Sequence, residues 1–337
     1  MTRTEEHKWT TSAGRVVAAQ AMTLLLVAFL NVGAKFYLES HPTTVAYTLV
    51  QEKWKLLRQQ KEPADIVVLG DSAAAFCLDP EYLSEKTGLK VLNLATAGHI
   101  LALNDAWMLN EYVRLVGKPQ VVISIRFFPY WELESPSAHL LSCVPLPWEF
   151  WQVLRPGISL PGQQTWDLFL GRYFPLYSKS LTLQKLFRVW HHSPEITKVK
   201  KDGGLELDLP PVADFSAGKL FSQRLKSPVP FSISELNRFS LDALQSTCGK
   251  NGITLILANP PAYQGDTEQK YYASYLESLD QSLQAFASFY PHVLFFRAEP
   301  LVLGEEEMID AIHARPSGAR TYTERFYQQL KRASDGK

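Results

Sequence analysis

Hydrophobic and polar positions recur along this chain with two different periods, and one early stretch has no period at all. Val16 to Ala34 runs nineteen positions without a formal charge and includes Met22-Thr23-Leu24-Leu25-Leu26-Val27-Ala28-Phe29-Leu30. As a helix it reaches roughly 28 Å, close to the ~30 Å of bilayer hydrocarbon. Gln20, Thr23 and Asn31 are polar interruptions that a single span tolerates. Arg3, Lys8 and Arg15 precede it and Lys35 follows, so the positive-inside rule leaves the N-terminus in the cytoplasm. The globular remainder is then expected on the periplasmic or extracellular face of the cytoplasmic membrane. An uncleaved anchor is the preferred reading, because the apolar region of a signal peptide has only ~7–15 residues. A signal peptide cleaved after the small residues Val32-Gly33-Ala34 is the alternative, and a buried core helix is a third.

Beyond that stretch the pattern becomes regular. Thr43 to Lys61 reads as an amphipathic helix, with Val45, Leu49, Trp54 and Leu57 on one side. Five short apolar runs follow, at Asp65–Leu69, Leu89–Leu94, Val121–Ile125, Ile253–Ala258 and His292–Phe296. Continuous runs of Val, Ile and Leu suit strands buried on both faces of a parallel sheet. Helical patterns lie between and after them, at Leu101–Val116, Ser234–Gly249, Glu268–Tyr290 and Gly318–Ala333. The alternation predicts an α/β fold with a doubly wound, parallel, five-stranded sheet.

One segment breaks the rhythm. Phe128 to Phe231 holds Trp131, Trp148, Trp151 and Trp166 with Pro136, Pro145, Pro147, Pro156 and Pro161, and reads as an inserted cap. Its later part, Ser193 to Pro230, is rich in Lys, Asp, Gly and Pro and reads as an exposed loop. The organisation expected is therefore 1–40 tail and anchor, 41–127 and 232–337 the two parts of the α/β domain, and 128–231 the cap.

Composition narrows the function classes. Of 337 residues, 34 are Lys or Arg and 34 are Asp or Glu. That balance lacks the basic stripe with which a nucleic-acid binder displaces counterions from phosphates. The three cysteines, Cys77, Cys143 and Cys248, are too few and too scattered for a disulfide scaffold and lack zinc-site spacing.

Two places carry candidate chemistry. The first strand runs straight into Gly70-Asp71-Ser72, and chemistry in a doubly wound sheet gathers at the carboxyl ends of strands. Near the far end, Asp310-Ala311-Ile312-His313 precedes the last helix. An aspartate three residues before a histidine on one loop can accept the imidazole Nδ1–H, which leaves Nε2 free to take a serine proton. Either motif alone is common; their order and placement give them weight.

At these residues the chain resembles the SGNH (GDSL) hydrolase superfamily. Its first block is similar to Val68-Leu69-Gly70-Asp71-Ser72, its second to Asn93-Leu94-Ala95-Thr96-Ala97-Gly98, and its last to Asp310-Ala311-Ile312-His313. The resemblance implies a flavodoxin-like sheet, Ser72 as nucleophile, His313 as base and Asp310 as its orienting partner. It further implies an oxyanion hole formed by the backbone N–H groups of Ser72 and Gly98, with no cofactor and no metal. The third block departs from the pattern: Val121-Val122-Ile123-Ser124-Ile125-Arg126-Phe127-Phe128-Pro129 lacks the asparagine that most members place there. Variants without it occur among membrane-anchored relatives that act in envelope polysaccharide O-acetylation and teichoic-acid D-alanylation. With one span, an SGNH-like domain and an insertion containing Arg172-Tyr173-Phe174-Pro175-Leu176-Tyr177, the chain is similar to that branch.

Other residues have two readings each. Arg126 and Asn259, near strand ends, either contact substrate and stabilise charge or form an ordinary ion pair and loop hydrogen bond. His99 either touches substrate or is a surface histidine. The pair His191-His192 has no nearby carboxylates and is set aside as a metal site. Cys77 reads as a small buried hydrophobe, Asp71 as a brace for the turn, and Glu305-Glu306-Glu307 as a solvated face that could tune Asp310. The aromatic and proline cluster from Trp131 to Tyr177 is either a groove for lipid or sugar or plain packing, and its Trp and Tyr also suit a membrane interface. The expected function is an anchored serine O-acyltransferase or esterase working on O-acyl groups, chiefly O-acetyl, of an envelope or extracellular polysaccharide. Its expected partners are the O-acylated glycan or acyl donor, a membrane-bound O-acyltransferase and the membrane itself. The alternatives are a non-catalytic carbohydrate-binding or assembly partner and, on the aromatic segment alone, a lipase.

Overall fold

The computed structural model describes residues 3–40, 45–141, 143–144, 166, 169–171, 173–178, 195–209, 215, 219–297 and 301–335. The chain opens with α1 (Arg3–Ser40) and α2 (Val45–Gln59), then β1 (Ile66–Gly70), α3 (Ser72–Cys77), α4 (Pro80–Thr87), β2 (Val91–Asn93), α5 (Leu101–Leu115) and β3 (Val121–Ile125). A hairpin follows, β4 (Glu195–Val199) with β5 (Leu205–Asp208). Next come α6 (Glu235–Asn251), β6 (Thr254–Ala258), β7 (Ala262–Tyr263), α7 (Tyr272–Ser288), β8 (Val293–Phe296), β9 (Val302–Leu303) and α8 (Pro316–Asp335).

Five strands pair in the order β2-β1-β3-β6-β8, all parallel. They are mostly apolar, with Asn93, Ser124 and Thr254 as polar members, because successive side chains point into two different cores. Val67, Leu69, Val122, Leu255 and Leu257 enter one, with Trp54, Leu57, Leu103, Leu241 and Leu279 from the covering helices. Ile66, Val68, Ile123, Ile125 and Ile256 enter the other, with Phe76, Leu83, Tyr322 and Phe326. A three-layer α/β body results, with the sheet as its middle layer.

The N-terminal helix is the exception to this packing. From Gly14 to Tyr37 it has a mean hydropathy of 2.0 and none of its most apolar window is buried. Leu24, Leu25 and Phe29 are exposed, which removes the reading as a core helix. It is long and apolar enough to cross a membrane, as an anchor or a signal sequence would be.

The expectation of an exposed loop over Ser193 to Pro230 holds for 226–230, which are turn and coil and mostly exposed, and is overturned for 195–208 and for the helix Lys219–Arg224. Glu195–Val199 and Leu205–Asp208 form an antiparallel pair, and its turn is docked on the end of β2. The Asn93 amide donates to the Asp202 carbonyl at 2.8 Å. Lys53 Nζ, fully buried, donates to the carbonyls of Asn93 (2.8 Å) and Gly203 (2.6 Å). Gly203 has φ +83°, and a Cβ there would stand 1.9 Å from the Asn93 oxygen, so only glycine fits. Burial drives the Lys53 ammonium down to about 7, against the pull of Asp202. The charged surface of this hairpin hid the alternation of Ile196, Leu205 and Leu207, which pack against the second core.

The segment between β3 and β6 also supplies core residues at both ends. Phe128 and Trp131 follow β3, and Phe221, Leu225 and Phe231 precede α6; all are buried in the first core. Trp148, Trp151, Pro145, Pro147, Pro156, Pro161, Arg172, His191 and His192 lie outside the described residues.

Candidate active site

Ser72 is placed by a turn that needs glycine at position 70 and is capped by Asp71. Gly70 ends β1 with φ +129°, and a Cβ on it would stand 1.8 Å from the Ile125 carbonyl oxygen of β3. Asp71 then caps α3, its Oδ1 accepting from the Ala73 amide at 2.9 Å. Its Oδ2 accepts from the Phe127 amide at 2.7 Å, tying the turn to the residues after β3. Burial raises the Asp71 carboxyl, opposed by Arg126, by these two amides and by His313. Asp71 thus braces the turn, and Ser72 emerges at the carboxyl end of β1, beside β3.

The loop before α8 brings the histidine to it. His313 Nε2 lies 2.8 Å from Ser72 Oγ, and His313 Nδ1 lies 2.7 Å from Asp310 Oδ2. The other Asp310 oxygen accepts from the amides of Ile312 (2.7 Å) and His313 (2.8 Å), so the carboxylate is held by three bonds. Burial alone would raise the Asp310 carboxyl; the neighbouring imidazole and these bonds outweigh it and hold it below its ordinary value. Ser72 is 9 % exposed, and the side chains of His313 and Asp310 are 17 % and 13 % exposed. The three groups are shielded yet reachable.

Phe76 packs on the imidazole, ring centroids 4.6 Å apart. The same ring lines a cavity of about 150 Å³ with Leu78, Asp79, Lys200, Asp202 and Ala314. The hairpin therefore forms one wall of this hollow, and Phe76 is the residue it shares with the imidazole contact.

Gly98 begins a short 3₁₀ turn after β2, and a Cβ on it would stand 2.0 Å from the Tyr130 ring. Among the described residues, no partner takes the amide hydrogens of Ser72 or Gly98. The turn ends at Leu101, a buried non-glycine residue with φ 59° and ψ −174°. That region is essentially reserved for glycine, and a residue held there costs about 1–3 kcal/mol. The Asn237 side chain helps hold it: Oδ1 accepts from the Ala102 amide at 3.0 Å, and Nδ2 donates to the carbonyls of Tyr130 and Trp131 at 2.9 and 3.0 Å. One buried amide thus joins the Gly98 turn to the Tyr130 turn.

The remaining candidates divide. His99 is exposed, its ring centroid 5.1 Å from that of Tyr130. Arg126 is buried, with its Nη2 2.6 Å from Asp105 and its guanidinium 5.4 Å from the Trp131 ring centroid. It is therefore a counter-charge beneath the site; a surface substrate cannot reach it. Asn259 gives its Nδ2 to Asp280 at 2.8 Å and its carbonyl to the Tyr322 hydroxyl at 2.7 Å, the loop hydrogen-bond role. Cys77 closes α3, buried, with burial pushing its thiol up. Glu305–Glu307 is a short 3₁₀ turn in which Glu305 and Glu306 are exposed, and it takes no part in the shift of Asp310.

Sequence reasoning missed Tyr130, Asn237 and Phe76. Tyr130 had one available signal, since it follows the third strand where a donor is expected. Its hydroxyl is raised by burial and then by Asp71 and Asp310, and so stays protonated. Asn237 had none, because the amide it fixes is 135 positions away.

No protein-family model matches this chain, and no curated protein matches it.

Proposed function

We propose that this chain is a membrane-anchored, SGNH-type serine acyltransferase or esterase that acts on O-acyl groups, chiefly O-acetyl, of an envelope or extracellular polysaccharide. The observation that carries the reading is the unbroken relay Ser72 Oγ–His313 Nε2–His313 Nδ1–Asp310 Oδ2, at 2.8 and 2.7 Å. A non-catalytic partner of a membrane acyltransferase needs no such alignment. The strand order, second-first-third-fourth-fifth when the sheet strands are counted along the chain, supports a flavodoxin-like sheet, whose ligands bind where the order reverses. The exposed apolar α1 and the basic residues before it support an anchor with the body on the outer side.

In the proposed reaction Ser72 Oγ attacks the acyl carbonyl and passes its proton to His313 Nε2. Asp310 stabilises the imidazolium through Nδ1–H. The carbonyl oxygen becomes an oxyanion held by the amides of Ser72 and Gly98, donors worth ~3 kcal/mol each when aimed at developing charge. Collapse leaves the acyl group on Ser72, while His313 returns the proton to the departing alcohol. His313 then deprotonates a sugar hydroxyl or water, which takes the acyl group and frees the serine. The Tyr130 hydroxyl stands in for the third-block asparagine: its ring lies against Gly98, and its proton is retained. An O-acylated glycan and a membrane-bound O-acyltransferase are the matching partners.

Labelling with a serine-directed fluorophosphonate tests this. Wild type should label and both Ser72→Ala and His313→Ala should not; equal labelling of wild type and Ser72→Ala removes Ser72 as the nucleophile.

A further inference from the structure

An aromatic segment far from the site in sequence is bound to the apolar helix rather than to the body's core. Asn31, a polar residue in the last third of the apolar stretch, donates from Nδ2 to the Tyr173 carbonyl at 2.6 Å. Its Oδ1 accepts from the Leu176 amide at 3.3 Å. A polar side chain in an apolar span is costly unless partnered, and so is a bare backbone carbonyl in lipid. Each therefore satisfies the other.

The side chains around that contact face outward. Phe169 lies 5.6 Å from Trp166, in a stacked arrangement, and 5.0 Å from Tyr173 by ring centroids. Trp166 is 57 % exposed and Tyr177 70 % exposed, with Tyr173, Phe174 and Leu176 also exposed. Such a cluster in water is unfavourable. Its depth is fixed by Asn31, six positions before the Tyr37 end of the apolar stretch, or about 9 Å along the helix. That is the level of the headgroup and acyl boundary, where Trp and Tyr rings are favoured.

We infer that Trp166, Phe169, Tyr173, Phe174, Leu176 and Tyr177 form a membrane-inserted surface, seated in the body-side leaflet beside α1, whose occupant is lipid. The inference rests on the proposed reading of α1 as a span. The surface is continuous with that span, and the Asn31 bonds fix the two together.

The test uses nitroxide labels on the full chain in phosphatidylcholine–phosphatidylglycerol nanodiscs. Labels are placed at Tyr177→Cys, Trp166→Cys, Leu25→Cys and Phe289→Cys in a Cys143→Ser background; Cys77 and Cys248 are buried. Collisions with oxygen and with a water-soluble nickel chelate are then measured. Leu25 reports the span and Phe289, 78 % exposed on the body, reports water. Labels at 177 and 166 should match Leu25 in excluding the chelate, with an at least fivefold lower collision rate than at Phe289. Chelate access at 177 and 166 with Leu25 shielded overturns the inference and leaves the span intact. Chelate access at Leu25 as well overturns both. Shielding of 177 and 166 from oxygen and chelate alike means that a second copy or another protein covers the patch, which also overturns it.

Discussion

Replacing Asp310 by asparagine tests the relay at its most constrained point. The substitution keeps size and removes one negative charge, but the amide has only one orientation that suits its surroundings. Asp310 Oδ1 accepts from the amides of Ile312 and His313, so an asparagine must turn its carbonyl oxygen toward them. Its NH₂ then faces His313 Nδ1 across the 2.7 Å contact and makes that nitrogen an acceptor. The imidazole proton is forced onto Nε2, which points at Ser72 and can no longer accept the serine proton. A wrong tautomer of this kind costs about 10⁴ in kcat, or about 5 kcal/mol of transition-state stabilisation. The assay is turnover of p-nitrophenyl acetate together with the fluorophosphonate labelling rate, and the thermal midpoint serves as a fold check. Stability has its own signature. The native Asp310 carboxyl lies below its ordinary value, so its contribution is present above about pH 4 and is lost on further acidification. The gap between wild type and Asp310→Asn should close there. Activity within tenfold of wild type, in a folded variant, would refute the reasoning.

Three further outcomes are expected. Tyr130→Phe should lower kcat about 10²-fold with KM little changed, the loss expected of one oxyanion donor; a fall confined to KM would make Tyr130 a binding residue only. Asp71→Asn leaves one of the two amides now bound by the carboxylate facing an NH₂ group, so the denaturant midpoint should fall by the equivalent of ~1–3 kcal/mol. An unchanged midpoint means the brace is dispensable. Lys53 is lowered from 10.5 to about 7 by burial, so the folded state favours its neutral form. Its contribution is complete above the unfolded value and is lost as pH falls toward 7. The stability advantage of wild type over Lys53→Met in urea should therefore widen from pH 7 to pH 10, and a constant gap rejects the buried-amine account.

The five sheet strands were legible because both of their faces are buried, which turns each into a continuous apolar run. Observed and expected boundaries agree within two residues, and Val121–Ile125 agrees at both ends. The helices α5, α6 and α8 were readable for the corresponding reason, an apolar stripe on a polar helix. The expected helix from Glu268 begins instead at Tyr272, after Gln264–Thr267 forms a separate turn. α4 went unread, since Pro80 to Thr87 buries only Pro80 and Leu83 and has too little apolar pattern to signal a helix. Ser72, Asp310 and His313 were visible because local motifs carry them. The docked hairpin and Asn237 were not, since Lys53 meets Gly203 across 150 positions and no local pattern records such a bond.

The separation of Ser72 from His313, 241 positions, has a consequence for biogenesis. On the proposed reading of an exported body, the Ser72 hydroxyl crosses the membrane long before the His313 imidazole. The loop carrying that imidazole leads into α8, which is fastened to the body where the Thr323 hydroxyl accepts from the Asp79 amide and the Tyr322 hydroxyl donates to the Asn259 carbonyl. Until that helix packs, the proposed nucleophile has no imidazole to take its proton. Competence for the proposed reaction is thus gained late, when two distant motifs meet.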